Sequence, residues 1–287
     1  MKVGQSIFRP LNYRRLIRNV LRYLILTSLA AVFILPFIWM LSTSLKGYEN
    51  IFSLPMKWIP ETIHWENYVN VFKAMPFLTY LNNSIFVTGL AIFGTVLSSS
   101  MVAYAFAVLR WPGRDTLFII VIATMMLPVQ VTMIPLFVIF KELGWLNTFK
   151  PLIIPAFFGG GAFNIFILRQ FFLSIPQDLF DAARIDGCSE FRIYWNIVLP
   201  LAKPALATVS ILSFMLYWND FLGPLIYLSD KLKSTLALGV VSFVGQHQSE
   251  WAILMVATIL MMLPIILIFF MFQKYFIRGL MMGSVKG

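Results

Sequence analysis

From Trp251 to Phe272 the chain carries no charged side chain, and from Tyr23 to Leu45 it carries none either. Nothing constrains a fold more than such runs, because about 20 mostly apolar residues are what a helix needs to cross a bilayer. The whole chain holds six of them, at 23–45, 84–109, 117–140, 152–173, 205–228 and 251–276. Composition agrees. Of 287 residues, 60% are hydrophobic and 12% charged, whereas a soluble domain is about a quarter charged. So few charges cannot cover a globule of this size. The predicted class is an all-α membrane protein with six transmembrane helices. The first run follows a basic stretch, as in a signal peptide, but it is too long and no small-x-small cleavage site ends it. It is read as a retained span.

The net charge of +10 would suggest a nucleic-acid partner in a soluble protein. Here the basic residues sort by side. The arm before Tyr23 holds Lys2, Arg9, Arg14, Arg15, Arg18 and Arg22 and no acidic residue. If the arm is cytoplasmic, six spans return the C-terminus to the same side. Only Lys46, Lys57, Lys73, Lys141, Lys150, Lys231 and Lys233 then fall outside. Translocating Lys and Arg is disfavoured, so both termini are expected in the cytoplasm, and no nucleic acid is needed to explain the charge. The expected division is an arm at 1–22, a six-span unit at 23–276 and a tail at 277–287. One cysteine, Cys188, rules out an internal disulfide, and His64 and His247 lie too far apart in sequence to suggest a metal site.

Two spans are irregular. Pro151, Pro155, Gly159-Gly160-Gly161 and Asn164 interrupt the fourth, and Pro128, Gln130 and Pro135 the third. Irregular backbone at membrane depth survives when packed on protein or facing a wet cavity. Tolerated kinks and a conduit wall that changes shape explain these residues equally well.

Between the fourth and fifth spans, residues 174–200 read as two short helices. Ser174 with Gln177 suggests a capping box, and Pro176 suits a first turn. The first helix should stop at Gly187, the residue best able to take a left-handed C′ conformation. In the second, Phe191, Tyr194, Trp195 and Val198 fall at i, i+3, i+4 and i+7 and predict one apolar stripe. Pro200 and Pro204 should end it. Such a unit is a docking knob.

Asp181-Ala182-Ala183, three residues, Gly187, nine residues, then Ile197-Val198-Leu199-Pro200 resembles the "EAA" loop of permease subunits of ABC importers. Spacing agrees throughout; Asp181 stands where the pattern has Glu, keeping the charge on a shorter side chain. The resemblance spans nearly the whole chain and narrows to the second permease of maltose-type sugar systems. Pro36-Phe37-Ile38-Trp39-Met40, Leu127-Pro128, Ile134-Pro135-Leu136, Leu146-Asn147-Thr148, Gly279-Leu280 and Gly283 match its other segments.

That resemblance implies a type I ABC importer permease fold in a bacterial or archaeal inner membrane. It implies a heterodimer with a homologous permease, two ATPase subunits that bind ATP and Mg, and an extracytoplasmic solute-binding protein that delivers a sugar. Residues 174–200 would be coupling helices seated in an ATPase cleft, with Asp181, Ala182, Ala183, Gly187, Ile197, Leu199 and Pro200 as the contact motif. The tail, with Gly283, Val285, Lys286 and Gly287, would reach between the ATPase subunits. The outer loop 242–250, with Gln246, His247 and Gln248, would touch the binding protein.

No phosphate-cradling Gly-x-x-x-x-Gly-Lys run, Gly-x-Ser-x-Gly or His-Glu-x-x-His occurs, so the chain is expected to bind no cofactor and catalyse nothing. Asp220 is the one acidic residue placed inside a span, roughly 22 Å from the cytoplasmic end at 1.5 Å per residue. Asp220, Asn219 and Asn164 could face the translocation path. A structural hydrogen bond to a partner, or to broken backbone in the third or fourth span, is preferred. An ion-coupled secondary transporter using Asp220 is the alternative function, although no internal repeat supports it. Trp58, Trp65, Tyr68 and Tyr80 read equally as an interfacial belt or a binding face.

Overall fold

The computed structural model describes residues 13–53, 55–246 and 250–282, and every regular element among them is helical. Helix α1 (Tyr13–Ser44) carries Pro36, and every side chain described from Ile17 to Ile38 is exposed. It lies beside the last helix rather than inside the bundle. A loop and the short α2 (Asn67–Ala74) lead to α3 (Phe77–Ala107), which packs on several of the later helices.

The loop after α1 is held by its own polar groups. Lys46 is fully buried, its ammonium donating to the Lys57 carbonyl 4.1 Å above the Trp39 ring. The Asn67 amide donates to the Ser44 and Lys46 carbonyls at 3.0 and 3.1 Å. Two of the four loop aromatics take part: the Trp58 carbonyl accepts from Ser42, and the Tyr68 hydroxyl meets Ser44 at 3.1 Å. Tyr80 is buried in α3, so only Trp65 remains mostly exposed without a structural task among these contacts.

The expected third span is not one helix. Helix α4 (Arg114–Ala123) passes through a 3-10 turn (Thr124–Met126) and meets α5 (Val129–Glu142) at 98°. The bend falls at Pro128, which has no amide hydrogen to continue the ladder, whereas Pro135 stays inside α5. The fourth span is α6 (Lys150–Ile153), a 3-10 turn (Ile154–Phe157), a glycine turn, then α7 (Ala162–Phe172). Gly160 has φ +62°, and a Cβ there would lie 2.5 Å from the Thr95 carbonyl oxygen. Only glycine allows that backbone to seat on α3.

The knob is α8 (Gln177–Ile185), α9 (Glu190–Ile193), a π-turn (Tyr194–Val198) and α10 (Leu199–Leu201), which lead into α11 (Lys203–Trp218) at 78°. The expected fifth span therefore ends early, at Trp218, and resumes as α12 (Leu222–Tyr227). Helix α13 (Leu236–Gln246) was not anticipated. It overturns part of the outer-loop reading, because residues 242–246 are its last turns rather than loop. Its buried Leu236, Val240 and Phe243 join Phe214, Trp218 and Val256 in a core at the end opposite the knob. Helix α14 (Trp251–Met282) closes the fold.

Candidate functional site

The knob is built on a tight helix stop. Gly187 has φ +77°; its N–H donates to the Arg184 carbonyl at 3.0 Å, and the Cys188 N–H donates to the Ala183 carbonyl at 2.9 Å. That is the paired closure of a Schellman end, as the glycine predicted. The start differs from expectation. Ser174 does not cap α8; its hydroxyl donates back to the Phe171 carbonyl at 2.6 Å, and Pro176 occupies the N-cap without a side-chain bond. The chain is still finishing the previous helix at Ser174, whose N–H also donates to the Phe171 carbonyl at 2.9 Å. The second cap is Ser189, whose hydroxyl oxygen accepts from the Arg192 N–H at 3.4 Å.

The single apolar stripe also divides. Tyr194 and Val198 are buried, while Phe191 and Trp195 stack at 6.2 Å on the exposed side. The stripe is roughly 100° wide at 3.6 residues per turn, and the spans cover only its Tyr194–Val198 edge. The chain then widens into a π-turn, the Leu199 N–H reaching back five residues to the Tyr194 carbonyl. Pro200 sits in the first turn of α10 and Pro204 in the first turn of α11, so neither ends the unit; the chain bends instead.

Phe180 and Ala183 of α8, with Ile193 and Val198, pack against Leu168 and Phe172 of α7 and Ala202, Ala205 and Val209 of α10–α11. Above this core runs a polar chain. The Arg184 guanidinium spans Asp181 at 3.0 Å and Glu190 at 2.8 Å. Tyr104 of α3 donates its hydroxyl to the other Glu190 oxygen at 2.5 Å, and Ser100 meets the Tyr194 hydroxyl at 2.7 Å. The Arg184 guanidinium holds the Glu190 carboxyl below the usual glutamate range, against the opposing effect of partial burial. Sequence reasoning missed Ser100, Tyr104, Arg184 and Glu190. A weak signal existed, since Ser100 and Tyr104 are polar groups one turn apart on an apolar helix.

Asp181, Ala182 and Gly187 of the motif are exposed beside Ile185, Phe191 and Trp195, while Ala183 faces inward, Pro200 is exposed and Ile197 and Leu199 are partly covered. The exposed face thus sets apolar Ile185, Phe191 and Trp195 among the charged Asp178, Asp181, Asp186 and Arg192. A large apolar patch on water-facing surface marks an interaction site.

The path candidates are separate. Asp220 Oδ1 accepts from the Gly223 N–H at 3.0 Å. It therefore caps the broken end of its own span, not the third or fourth span as expected. The Asn219 amide donates to the Met215 carbonyl at 2.8 Å, and the Asn164 amide to the Gly160 carbonyl at 2.7 Å. All three finish a helix break. Among the described residues no group of three or more His, Cys, Asp and Glu could hold a metal ion. Gly283, Val285, Lys286 and Gly287, with His247 and Gln248, lie outside the described residues, and the Gln246 side chain does too.

The profile of the family described as binding-protein-dependent transport system inner membrane component matches residues 94–281, from the middle of α3 to the end of α14. The chain belongs to this family. It is 37% identical over 229 residues to an arabinooligosaccharides transport system permease protein of Halalkalibacterium halodurans, covering 79% of this chain and 81% of that one. It is 33% identical over 263 residues to a trehalose/maltose transport system permease protein of Thermococcus litoralis, covering 90% and 94%. A solved bacterial ABC transporter involved in import of the acidic polysaccharide alginate superposes with a TM-score of 0.80 at 26% identity, over 94% of this chain and all of that one. The fold is that of an ABC importer permease.

Proposed function

We propose that this chain is the membrane-spanning permease subunit of an ATP-driven importer that takes in a sugar or oligosaccharide. An extracytoplasmic binding protein delivers the solute, and a second, homologous permease completes the pathway. Two ATPase subunits bind ATP and Mg and supply the work. The one observation that carries the reading is the knob: exposed Ile185, Phe191 and Trp195 edged by Asp178, Asp181 and Asp186, on a unit bonded to the spans through Glu190 and Tyr104. A surface so built transmits a push rather than absorbing it. The relatives' printed substrates, arabinooligosaccharides and trehalose/maltose, support a saccharide cargo.

In this reading the knob and both termini face the cytoplasm of a cell whose inner membrane holds the chain. Residues 1–22 form the arm, 23–276 the permease unit and 277–287 a tail between the ATPase subunits, with Gly283, Val285, Lys286 and Gly287 in contact. Asp181, Ala182, Ala183, Gly187, Ile197, Leu199 and Pro200 set the ATPase contact. Gln246, His247 and Gln248 meet the binding protein. Asn164, Asn219 and Asp220 border the path while holding its helix breaks open. Asp220 already accepts a backbone N–H, which speaks against a free carboxylate cycling a coupling ion. Asp220→Asn should therefore leave transport largely intact.

The test is reconstitution with and without the ATPase subunits. Uptake should require them, and Gly187→Trp should abolish both their association and uptake. ATPase-independent uptake by the chain alone sinks the reading.

A further inference from the structure

Three helices exceed 30 residues, and α3 alone among them has no proline: α1 contains Pro36 and α14 contains Pro264. The intervening spans are broken by Pro128, by the glycine turn or by the 78° bend. A proline-free helix of 31 residues is about 46 Å long at 1.5 Å per residue, enough to join the two ends of the molecule without a joint.

Along that helix the polar side chains form a ladder rather than a scatter. At the knob end Tyr104 donates to Glu190 at 2.5 Å and Ser100 meets Tyr194 at 2.7 Å. Near the middle Thr95 meets the Tyr217 hydroxyl of α11 at 2.8 Å, and Ser98 donates to the Ala156 carbonyl at 2.8 Å. Gly160 seats against Thr95 and Ser99 there. At the opposite end the Ser84 hydroxyl accepts from the Leu236 N–H at 2.7 Å, and the Asn83 amide donates to the Leu232 and Ser234 carbonyls at 2.8 and 2.9 Å. Ser84, Thr95, Ser99 and Ser100 are all buried. The Ser100–Tyr194 and Ser84–Leu236 bonds are buried and the Tyr104, Thr95 and Ser98 bonds partly so, while the Asn83–Leu232 bond is exposed. Because all are held to one stiff helix, displacement at one rung moves the next.

We propose that α3 is the rod carrying the knob's displacement across the membrane to the loop at 229–235, with Tyr104 and Asn83 as positioning residues at its two ends. This rests on the importer reading above and extends it: the ATPase pushes the knob, Tyr104 and Ser100 pass the push to α3, and Asn83 and Ser84 pass it to the loop before α13. Tyr104 acts through Glu190, and neither group need touch the solute.

The test uses the full complex, with Cys188→Ser and a reporter cysteine at the exposed Lys231. The rate of its modification by a charged maleimide is compared with and without ATP plus vanadate. In that background the rate should change roughly fivefold, the low end of ordinary coupling between sites. Tyr104→Phe and Asn83→Ala lie outside the docking face. Each should leave ATPase association, ATP hydrolysis and thermal midpoint near background, while the change at position 231 shrinks below roughly twofold. A merely structural role would lower the midpoint and hydrolysis together. A full response at 231 in both variants overturns the rod, as does an unchanging reporter in a complex that hydrolyses ATP. Failure of the ATPase subunits to associate at all would instead overturn the importer reading beneath it.

Discussion

Two bent helix pairs, at 78° and 98°, are held in opposite ways. At the 78° bend between α10 and α11, Val198, Ala202 and Ala205 are buried and the knob's polar groups are paired with α3. At the 98° bend between α4 and α5, Met125, Met126, Leu127, Val129 and Val131 are all exposed, Met126 at 85%. Broken backbone at membrane depth requires protein or a wet cavity against it. The first bend finds that cover within its own chain. The second leaves its side chains open among the described residues.

Phe180→Ala attacks the self-sufficient bend most directly. It removes a ring 1% exposed between α8 and the spans and should cost about 3–5 kcal/mol, read as a fall in thermal midpoint of the purified chain. Gly160→Ala comes next, at about 2–4 kcal/mol, adding left-handed strain to a 2.5 Å approach on the Thr95 carbonyl. Full retention of stability would show that the α3 contact is loose.

A pH titration sharpens the comparison further. Because Arg184 depresses the Glu190 carboxyl, the pair's contribution is present above the ordinary glutamate value of about 4.3 and fades as pH falls through the lower folded-state value. Amide exchange in residues 177–201 should quicken at that acid limit while α5 does not change. The smallest effect on the chain alone is Met126→Ala, within about 0.5 kcal/mol. The same change should weaken association with the permease partner, measured by co-purification. A large loss of stability in the isolated chain would mean that the 98° bend is covered from within after all.

Much of the molecule was legible because its signals are local. Apolar runs marked the first, second and sixth spans, which needs only the bilayer's thickness and side-chain hydropathy. Gly187 announced the helix stop, since a left-handed residue at C′ is decided within one turn. The stretch from Asp181 to Pro200 resembles the family's loop motif, and that resemblance pointed to the family. Breaks were foreseeable at Pro128 and Gly159–Gly161, but not the bend angles, which depend on what packs beside them.

What only the tertiary structure decided lies at long range or beyond a 3.6-residue period. Tyr104 and Glu190 are 86 residues apart, and Ser100 and Tyr194 are 94 apart; no local pattern pairs them. The spans cover only the Tyr194–Val198 edge of the stripe and leave Phe191 and Trp195 outside, a choice that helical periodicity alone could not make. Asp220 was expected to make a structural hydrogen bond, but only the break after Trp218 decided its partner, the Gly223 N–H. Hydropathy and helix stops are properties of neighbouring residues and can be read in order. Hydrogen-bond partners belong to whichever elements packing brings together, so only the folded chain could choose them.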